Sequence, residues 1–281
     1  MIANPFTYAA PATLDQALAQ AADGSSKILA GGMSLIPLMK LRLASPENLI
    51  DLGRIPGLDG ITEAGGVITI GAMATHHAVE SSPLIRGKLP LLAETASNIG
   101  DVQVRNMGTI GGSTAHADPA ADYPAALLAL EAKIHLRSST GDRTVAAADF
   151  FLDAFTTALE PGEMVIDVQV EAEPSSEGYK YEKVPHPASG FPIVGVAARI
   201  RQSAGKITFA RIGVTGLSSH GFRATNAEER LLSGATIGDA CIVVGEGVDA
   251  NNDLSASAEY RLHLARVHAV RAVTAALGRA S

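Results

Sequence analysis

The stretch Ile28-Leu-Ala-Gly-Gly-Met-Ser-Leu-Ile-Pro37 decides the fold that we expect for this chain. It begins as a short apolar run typical of a buried strand, breaks at Gly31-Gly32, and restarts as a helix capped by Ser34. A second stretch, Gly108-Thr-Ile-Gly-Gly-Ser-Thr-Ala-His-Ala-Asp-Pro119, repeats the glycine pair. Glycine lets backbone N–H groups approach a ligand closely, and the start of a helix leaves N–H donors free. Two such turns predict a diphosphate between two backbone cradles, as in a dinucleotide site.

A tight strand-to-helix connection without a ligand is the alternative interpretation of Gly31-Gly32, and the more common one for a single glycine pair. The second glycine pair favours the interpretation that a ligand binds there. No Walker lysine follows either pair, since Lys40 stands too far beyond Ser34, and the G-x-G-x-x-G spacing is absent from both. Nucleotide hydrolysis and a Rossmann cofactor are therefore disfavoured.

Composition and charge limit the classes of protein. With 281 residues, 47% of them hydrophobic, the chain can bury a full core, and its length predicts two domains. A net charge of -7 argues against a nucleic-acid surface. No apolar segment is long enough to span a bilayer, and the amino terminus lacks the features of a signal peptide, so we expect a cytoplasmic protein. The single cysteine, Cys241, excludes an internal disulfide and an iron–sulfur cluster carried by this chain.

Residues 1 to about 55 are predicted to form a small βαβ-like unit. Thr13 caps a helix that stops at Gly24, residues 27–30 form a strand, Ser34 opens a second helix, and residues 48–52 form another strand. The first glycine pair then lies at the carboxyl end of a strand, where α/β folds usually place ligands.

The next part of the chain mixes helices and strands. Helices are predicted from Thr75, over residues 89–98, and from an Asp118-Pro119 cap onward. Strands are predicted over residues 67–71, 132–137, 143–146 and 164–170, with a short helical link at Phe150-Phe151.

The polar run 173–178 is the predicted domain boundary, because nothing in it is easily buried. An antiparallel meander is predicted after it, over residues 179–184, 193–202 and 206–216. Three helices follow: one from Thr225 with Glu228 in a capping box, one over residues 237–244, and one over residues 258–277 with an apolar stripe of Tyr260, Leu264, Val267, Val270, Val273 and Leu277.

Three strings in the sequence carry a family resemblance. They are AGGMSLIPLMKLRL at 30–43, GTIGGSTAHADPAADYPAALLAL at 108–130 and KVPHPASGFPIVGVAA at 183–198. With them the chain resembles the FAD-binding medium subunits of molybdenum hydroxylases, most closely the carbon monoxide dehydrogenase type. The resemblance implies an α+β fold. It also implies a two-lobed FAD-binding domain of the vanillyl-alcohol-oxidase (PCMH) type over 1–175, with lobes at about 1–55 and 56–175. A small domain with a three-stranded antiparallel sheet and a helix bundle is expected over 176–281.

The resemblance also implies the FAD-binding residues. Those expected around the pyrophosphate are Ala30, Gly31, Gly32, Met33, Ser34 and Leu35 on one side and Thr109, Ile110, Gly111, Gly112 and Ser113 on the other. Asp122 is expected to accept hydrogen bonds from FAD hydroxyls, and Lys183 to lie near the flavin, where a cation stabilises the reduced ring. Those expected to line the flavin are Ile99, Val104, Val165 and Phe191.

Each of these residues has a simpler alternative role. Asp122 would serve the first turn of its own helix, Lys183 would be solvated, and Phe191 and the aliphatic residues would be core. Asp118 is interpreted mainly as a cap, and His116 as a polar loop residue, because no metal-ligand spacing surrounds it. Met33 and Ser113 depart from the polar residue and the asparagine common in the family.

The function implied by the resemblance is electron transfer. Electrons would reach FAD here from iron–sulfur clusters on a small 2Fe-2S subunit, having left the substrate on a large molybdopterin-binding subunit, in a dimer of heterotrimers. NAD, a quinone and oxygen all stay open as the acceptor. Two other hypotheses are a non-redox nucleotide-binding assembly module, which Met33 and Ser113 make conceivable, and a self-contained flavin oxidoreductase of the same fold.

Overall fold

The amino-terminal unit is a three-stranded parallel sheet with two helices in the structure, a computed structural model that describes residues 2–22, 24–172 and 176–280. Its elements are β1 (Thr7–Ala9), α1 (Leu14–Ala21), β2 (Lys27–Leu29), α2 (Leu35–Lys40) and β3 (Asn48–Asp51). The strand order is β1-β3-β2, and Thr13 caps α1 by accepting a hydrogen bond from the Gln16 amide. The βαβ-like unit is thereby confirmed, and β1 is an additional strand that the sequence analysis missed.

The middle of the chain forms a five-stranded antiparallel sheet, covered on one face by helices. Its elements are β4 (Ile61–Ala64), β5 (Val67–Gly71), α3 (His76–Ser81), α4 (Pro83–Lys88), α5 (Pro90–Ser97), α6 (Val102–Met107), α7 (Ile110–His116), α8 (Tyr123–Ala129), β6 (Lys133–Arg137), β7 (Asp142–Ala146), α9 (Ala147–Phe150), β8 (Phe151–Asp153), β9 (Thr156–Thr157) and β10 (Met164–Glu171). The strand order is β4-β5-β10-β6-β7. Ile134 and Leu136 point into the core while His135 lies on the other face, as the period of two predicts.

The carboxyl-terminal part is an antiparallel sheet backed by helices. Its elements are β11 (Gly178–Pro185), β12 (Pro192–Ser203), β13 (Lys206–Thr215), β14 (Phe222–Arg223), α10 (Thr225–Leu232), α11 (Ile237–Cys241) and α12 (Ala258–Arg279). The meander β11-β12-β13 is confirmed, but the sheet has four strands rather than three, because the two-residue β14 pairs with β13.

Helix α12 buries only part of the predicted apolar stripe, in which Leu264 is 8% exposed and Val273 is fully buried. Tyr260 of that stripe is 50% exposed, whereas the alanines Ala265, Ala269, Ala272 and Ala276 are fully buried. Small side chains let the helix lie close to the sheet, so close that a Cβ atom on Gly178 would overlap the carbonyl oxygen of Ala276.

The predicted capping box of α10 is wrong. Ala224 occupies the cap position, and the Glu228 side chain turns to the sheet instead. There it accepts a hydrogen bond from the Ile212 amide at 2.8 Å and pairs with Arg223 at 2.5 Å. A buried amide and a guanidinium together hold the carboxylate more strongly than a helix amide does.

The structure describes only residues 176–178 of the predicted boundary run 173–178, since residues 173–175 lie outside the described residues. Glu177 contradicts the expectation that nothing in the run is buried. It is 6% exposed and pairs with Arg199 at 2.7 Å. Arg199 also donates to the Ala129 carbonyl oxygen, so this ion pair joins β12 to α8. Burial of the carboxylate is possible because the guanidinium neutralises it.

Helix α8 is the main contact between the five-stranded and four-stranded parts. A Cβ atom on Gly213 would overlap the carbonyl oxygen of Ala125, so β13 and α8 lie backbone to backbone at that point. Among the described residues, every helix is too short or too polar to cross a bilayer.

Candidate functional site

The first glycine segment, residues 30–35, leaves its backbone amides without partners. Leu29 ends β2, Gly32 has φ +73°, and α2 begins at Leu35. Within the described part of the chain, no hydrogen bond uses the amides of residues 31–35 or the Ser34 hydroxyl. Ser34 is thus at the cap position, but the predicted capping hydrogen bond is not made. Unpaired amides in consecutive residues are the groups that an anionic ligand needs.

The second glycine segment, residues 108–113, is a helix start rather than a turn. Thr109 is the N-cap of α7, and its Oγ1 accepts a hydrogen bond from the Gly112 amide at 3.1 Å. The amides of Ile110 and Gly111 donate to the Ala74 and Ala72 carbonyl oxygens. Among the described residues, the Thr109 amide and the Ser113 hydroxyl have no partner. The second segment therefore offers fewer free backbone donors than the first.

The two segments lie against each other. A Cβ atom on Gly31 would overlap the Met107 carbonyl oxygen, and one on Gly112 would lie 3.3 Å from the Ala30 Cβ atom. Gly31 and Gly112 are therefore needed for close packing, as the ligand-free interpretation states, but this packing also brings the free donors of both segments together. A diphosphate fits this arrangement, because the donors are backbone amides and hydroxyls with no competing partner in the described residues.

Asp122 and Lys183 form a buried ion pair. Their side chains are 4% and 5% exposed, and the Asp122 Oδ1 atom lies 2.9 Å from Lys183 Nζ and accepts from the Tyr181 hydroxyl at 2.7 Å. Lys183 also donates to the Asn98 carbonyl oxygen at 2.7 Å. Burial raises the pKa of Asp122 to about 6, while Lys183 and Tyr181 act in the opposite direction. Neither simpler role holds, since Lys183 is not solvated and Asp122 makes no capping hydrogen bond.

The aliphatic site residues lie in packed positions. Ile110 is fully buried, Val165 is 6% exposed in the core of the five-stranded part, and Ile99 packs against that core. Val104 lies over Gly100, where a Cβ atom would come within 2.8 Å of it. Leu35 is half-buried and Met33 is 38% exposed. Packing alone accounts for the buried members of this set.

Phe191 is not a core residue, because 43% of it is exposed. It closes a loop in which the His186 amide donates to the Phe191 carbonyl oxygen at 2.7 Å. His116, predicted in a loop, instead ends α7 and packs on Phe155 with ring centroids 5.1 Å apart. Asp118 does not cap a helix: its Oδ1 accepts from the Ala120 amide, and the next helix starts at Tyr123.

Two residues beside these groups escaped the sequence analysis. Tyr181 stands two residues before Lys183 on β11, and this period of two was the signal that both face Asp122. His76 lies behind the second segment, where its Nδ1 is 3.3 Å from the Tyr123 hydroxyl. Burial lowers the pKa of His76 from 6.5 to about 4. No sequence spacing indicates this second contact.

Comparison with known proteins defines the class of this chain as an FAD-binding flavoprotein. The family described as the FAD binding domain in molybdopterin dehydrogenase matches residues 4–171, and the CO dehydrogenase flavoprotein C-terminal domain matches residues 179–276. The chain belongs to this family: it is a medium, FAD-binding subunit of the carbon monoxide dehydrogenase and molybdenum hydroxylase type, and its relatives are oxidoreductase subunits.

Individual relatives cover the whole chain. The carbon monoxide dehydrogenase medium chain of Hydrogenophaga pseudoflava is 39% identical over 288 residues, 99% of each chain. The solved structure of carbon monoxide dehydrogenase from the same organism superposes with a TM-score of 0.96 at 40% identity over 100% of both chains. Quinoline 2-oxidoreductase from Pseudomonas putida 86 gives 0.94 at 30% identity, again over 100% of both chains. The mixed helix and sheet fold is thus that of carbon monoxide dehydrogenase medium subunits.

His76 should make the fold sensitive to acid. Its lowered pKa means that the unfolded chain binds a proton, between about pH 6.5 and 4, that the native chain does not. The contribution of neutral His76 to the free energy of unfolding is fully present above the unfolded pKa and is lost as the pH falls through this range. Because of this group, the free energy of unfolding measured in urea should be about 2 kcal/mol higher at about pH 7 than at about pH 5. His76→Gln should remove that difference, and His77→Gln, a change at an exposed neighbour, should keep it. Equal pH dependence in both variants would contradict the assignment.

The Asp122–Lys183 pair should affect the stability of the fold through the balance of its two charges. Asp122→Asn leaves a buried ammonium without its counter-charge and should lower the unfolding free energy by about 3 kcal/mol at neutral pH. Combining Asp122→Leu with Lys183→Met removes both charges and should restore most of that loss, as measured by denaturant unfolding. A double variant as unstable as Asp122→Asn would show that the pair itself stabilises the fold.

Proposed function

We propose that this chain is the FAD-containing electron-transfer subunit of a molybdenum hydroxylase. It takes electrons from iron–sulfur clusters of a partner subunit and passes them to an external acceptor. The observation that carries this proposal is the row of unpaired amides at residues 31–35, packed against the second glycine segment. FAD, when bound, supplies the redox chemistry, and the protein supplies binding, orientation and electrostatics.

The proposed diphosphate contacts are unequal on the two sides. The amides of residues 31–35 and the Ser34 hydroxyl hold one side of the diphosphate, and the Thr109 amide and Ser113 hydroxyl hold the other. The remaining site residues shape the space around these donors. Met33 and Ser113 preserve this binding mode, because most of its donors belong to the backbone.

Lys183 is proposed to lie near the flavin ring together with Asp122. A cation there stabilises negative charge on the ring. Because Asp122 already balances the ammonium at 2.9 Å, the effect is weaker than that of an unpaired lysine. Phe191 is proposed to offer its exposed face to the ring.

The partners follow from the cysteine count and from the relatives. One cysteine, buried at Cys241 with its pKa raised to about 12 by burial, leaves no ligands for an iron–sulfur cluster on this chain. We therefore place the clusters on a small 2Fe-2S subunit and the molybdopterin on a large subunit, assembled as a dimer of heterotrimers. Support comes from relatives named as a medium chain or as a subunit of a dehydrogenase complex.

We further propose a division into a two-lobed FAD-binding domain of the PCMH type at 1–175 and a carboxyl-terminal domain at 176–281. The lobes, at about 1–55 and 56–175, correspond to the parallel and the five-stranded sheets. Three apolar clusters, each centred on a different sheet, support the division, although Tyr181 and Ala197 of the four-stranded sheet belong to the cluster of the five-stranded sheet.

Purification from the native host tests the proposal. Affinity-tagged chain should co-purify with one larger molybdenum-containing chain and one small cysteine-rich chain, with a yellow flavin spectrum that bleaches when the reductant dithionite is added. A tagged chain that is recovered alone and turns over a substrate would instead indicate a self-contained flavin enzyme. A colourless complex would indicate an assembly module.

Two serine variants test the binding mode. Ser34→Ala and Ser113→Ala should each weaken FAD binding about five- to tenfold, because each removes a hydrogen bond to a charged group. Unfolding free energies should stay unchanged, since neither hydroxyl has a partner in the described residues. Fluorescence titration of the apoprotein with FAD measures the affinity. Ser203→Ala, at the exposed end of β12, is the matched control. Unchanged affinity in both variants would contradict the proposed contacts.

A further inference from the structure

The loop of residues 98–101, which joins α5 to α6, points three successive carbonyl oxygens at two cationic side chains. The Asn98 carbonyl oxygen accepts a hydrogen bond from Lys183 Nζ at 2.7 Å. The carbonyl oxygens of the next two residues accept from Arg105 Nη1 at 3.1 and 3.2 Å. The loop is therefore held between one cation from β11 and one from α6.

Gly100 gives the 98–101 loop the conformation that these contacts need. Its φ of +49° lies in the left-handed region, which glycine adopts at little cost. A Cβ atom at this position would also come within 2.8 Å of the Val104 Cβ atom. The chain then enters α6 at once, because the Asp101 side chain caps that helix by accepting from the Val104 amide at 2.8 Å.

Hydrogen bonds rather than burial hold the 98–101 loop, since Asn98 and Gly100 are both exposed. The Ile99 amide, which shares a peptide plane with the Asn98 carbonyl group, donates to the Ala96 carbonyl oxygen at 3.1 Å. Arg105 holds the next two peptide planes. Neighbouring planes are linked only by soft backbone torsions, so release of the Arg105 contacts would loosen the Asn98 carbonyl group as well.

Glu80 on α3 orients Arg105. Its Oε2 atom lies 3.1 Å from Arg105 Nε, and the two side chains are only 24% and 16% exposed. A guanidinium is planar and rigid, so an anchor at Nε also fixes the direction of Nη1. Arg105 thus reaches the 98–101 loop as part of a stiff link between α3 and that loop.

The Lys183 ammonium is shared between two acceptors of different charge. It lies 2.9 Å from the Asp122 Oδ1 atom and 2.7 Å from the neutral Asn98 carbonyl oxygen. Without the carbonyl contact, the ammonium would be drawn to the carboxylate alone. A closer ion pair cancels more of the positive charge that a third group can feel. The Asn98 carbonyl oxygen therefore keeps part of the lysine charge available.

We propose that Arg105 is a positioning residue for the flavin: it fixes the 98–101 loop so that the Asn98 carbonyl oxygen holds the Lys183 ammonium beside the ring. The inference rests on the proposed function, in which Lys183 lies near the flavin. A cation held there stabilises the negative charge of the reduced ring and so raises its reduction potential. Loosening Arg105 should lower that potential.

Redox titration of the flavin-loaded full-length chain, followed by flavin absorbance, tests the inference without turnover. Lys183→Met should weaken binding of reduced relative to oxidised flavin about tenfold, which lowers the two-electron potential by about 30 mV. Arg105→Lys keeps the charge but cannot serve Glu80 and two carbonyl oxygens together, so it should cost about threefold, or about 15 mV. Arg86→Lys is the matched control and should leave the potential unchanged, because Arg86 donates to the Glu80 carbonyl oxygen rather than to the loop.

A double variant distinguishes positioning from a general structural effect. Because Arg105 acts through Lys183, Arg105→Lys should cause no further shift in a Lys183→Met background. Additive shifts would overturn the inference. If Arg105→Lys does not retain flavin, Glu80→Gln replaces it in both backgrounds, since it loosens Arg105 without touching the loop, and it should lower the potential in the same direction.

The same titrations separate failure of this inference from failure of the proposed function. A potential that falls in Lys183→Met but stays unchanged in Arg105→Lys overturns only the role of Arg105. A potential that Lys183→Met leaves unchanged overturns the proposed place of Lys183 beside the ring, and the inference with it. A chain that holds no flavin overturns the proposed function itself.

Discussion

The packing of Gly31 on the backbone of Met107 and Gly108 is the contact on which the candidate site depends. A side chain at residue 31 would overlap the Met107 carbonyl oxygen, so only glycine allows the first glycine segment to pack on the end of α6 there. Beside this contact, the amides of residues 31–35 have no hydrogen-bond partner within the described residues. Packing and ligand binding are therefore compatible explanations of this glycine.

Buried ion pairs join the four-stranded sheet to the rest of the molecule. Asp122 with Lys183 and Glu177 with Arg199 both join the four-stranded sheet to the region of helix α8. Arg261 ties the same sheet, at Ile193, to the loop that carries Asp253. Such groups are costly to bury without partners and specific when paired. These buried ion pairs thus hold the four-stranded sheet in a fixed position against helix α8.

Local patterns in the sequence predicted much of the fold. The strand β6, with Ile134 and Leu136 inward, and the helix α1 behind Thr13 follow from period and capping alone. Non-local contacts account for what was missed. Strand β1 exists because it pairs with β3, Glu177 is buried because Arg199 meets it, and α12 buries alanines because it must lie close to the sheet. At the site, the two glycine segments predicted from the sequence lie against each other. The hydrogen bonds from the Ile110 and Gly111 amides to the Ala74 and Ala72 carbonyl oxygens could not be predicted from spacing.

Hydrogen–deuterium exchange with and without FAD tests the central claim, that the unpaired amides of the first glycine segment grip the diphosphate. Without a partner in the fold, the amides of residues 31–35 should exchange fast in the apoprotein, and FAD should slow them more than any other amides of the amino-terminal sheet. Fast exchange at residues 31–35 in the FAD-bound chain, with protection elsewhere, would contradict the account.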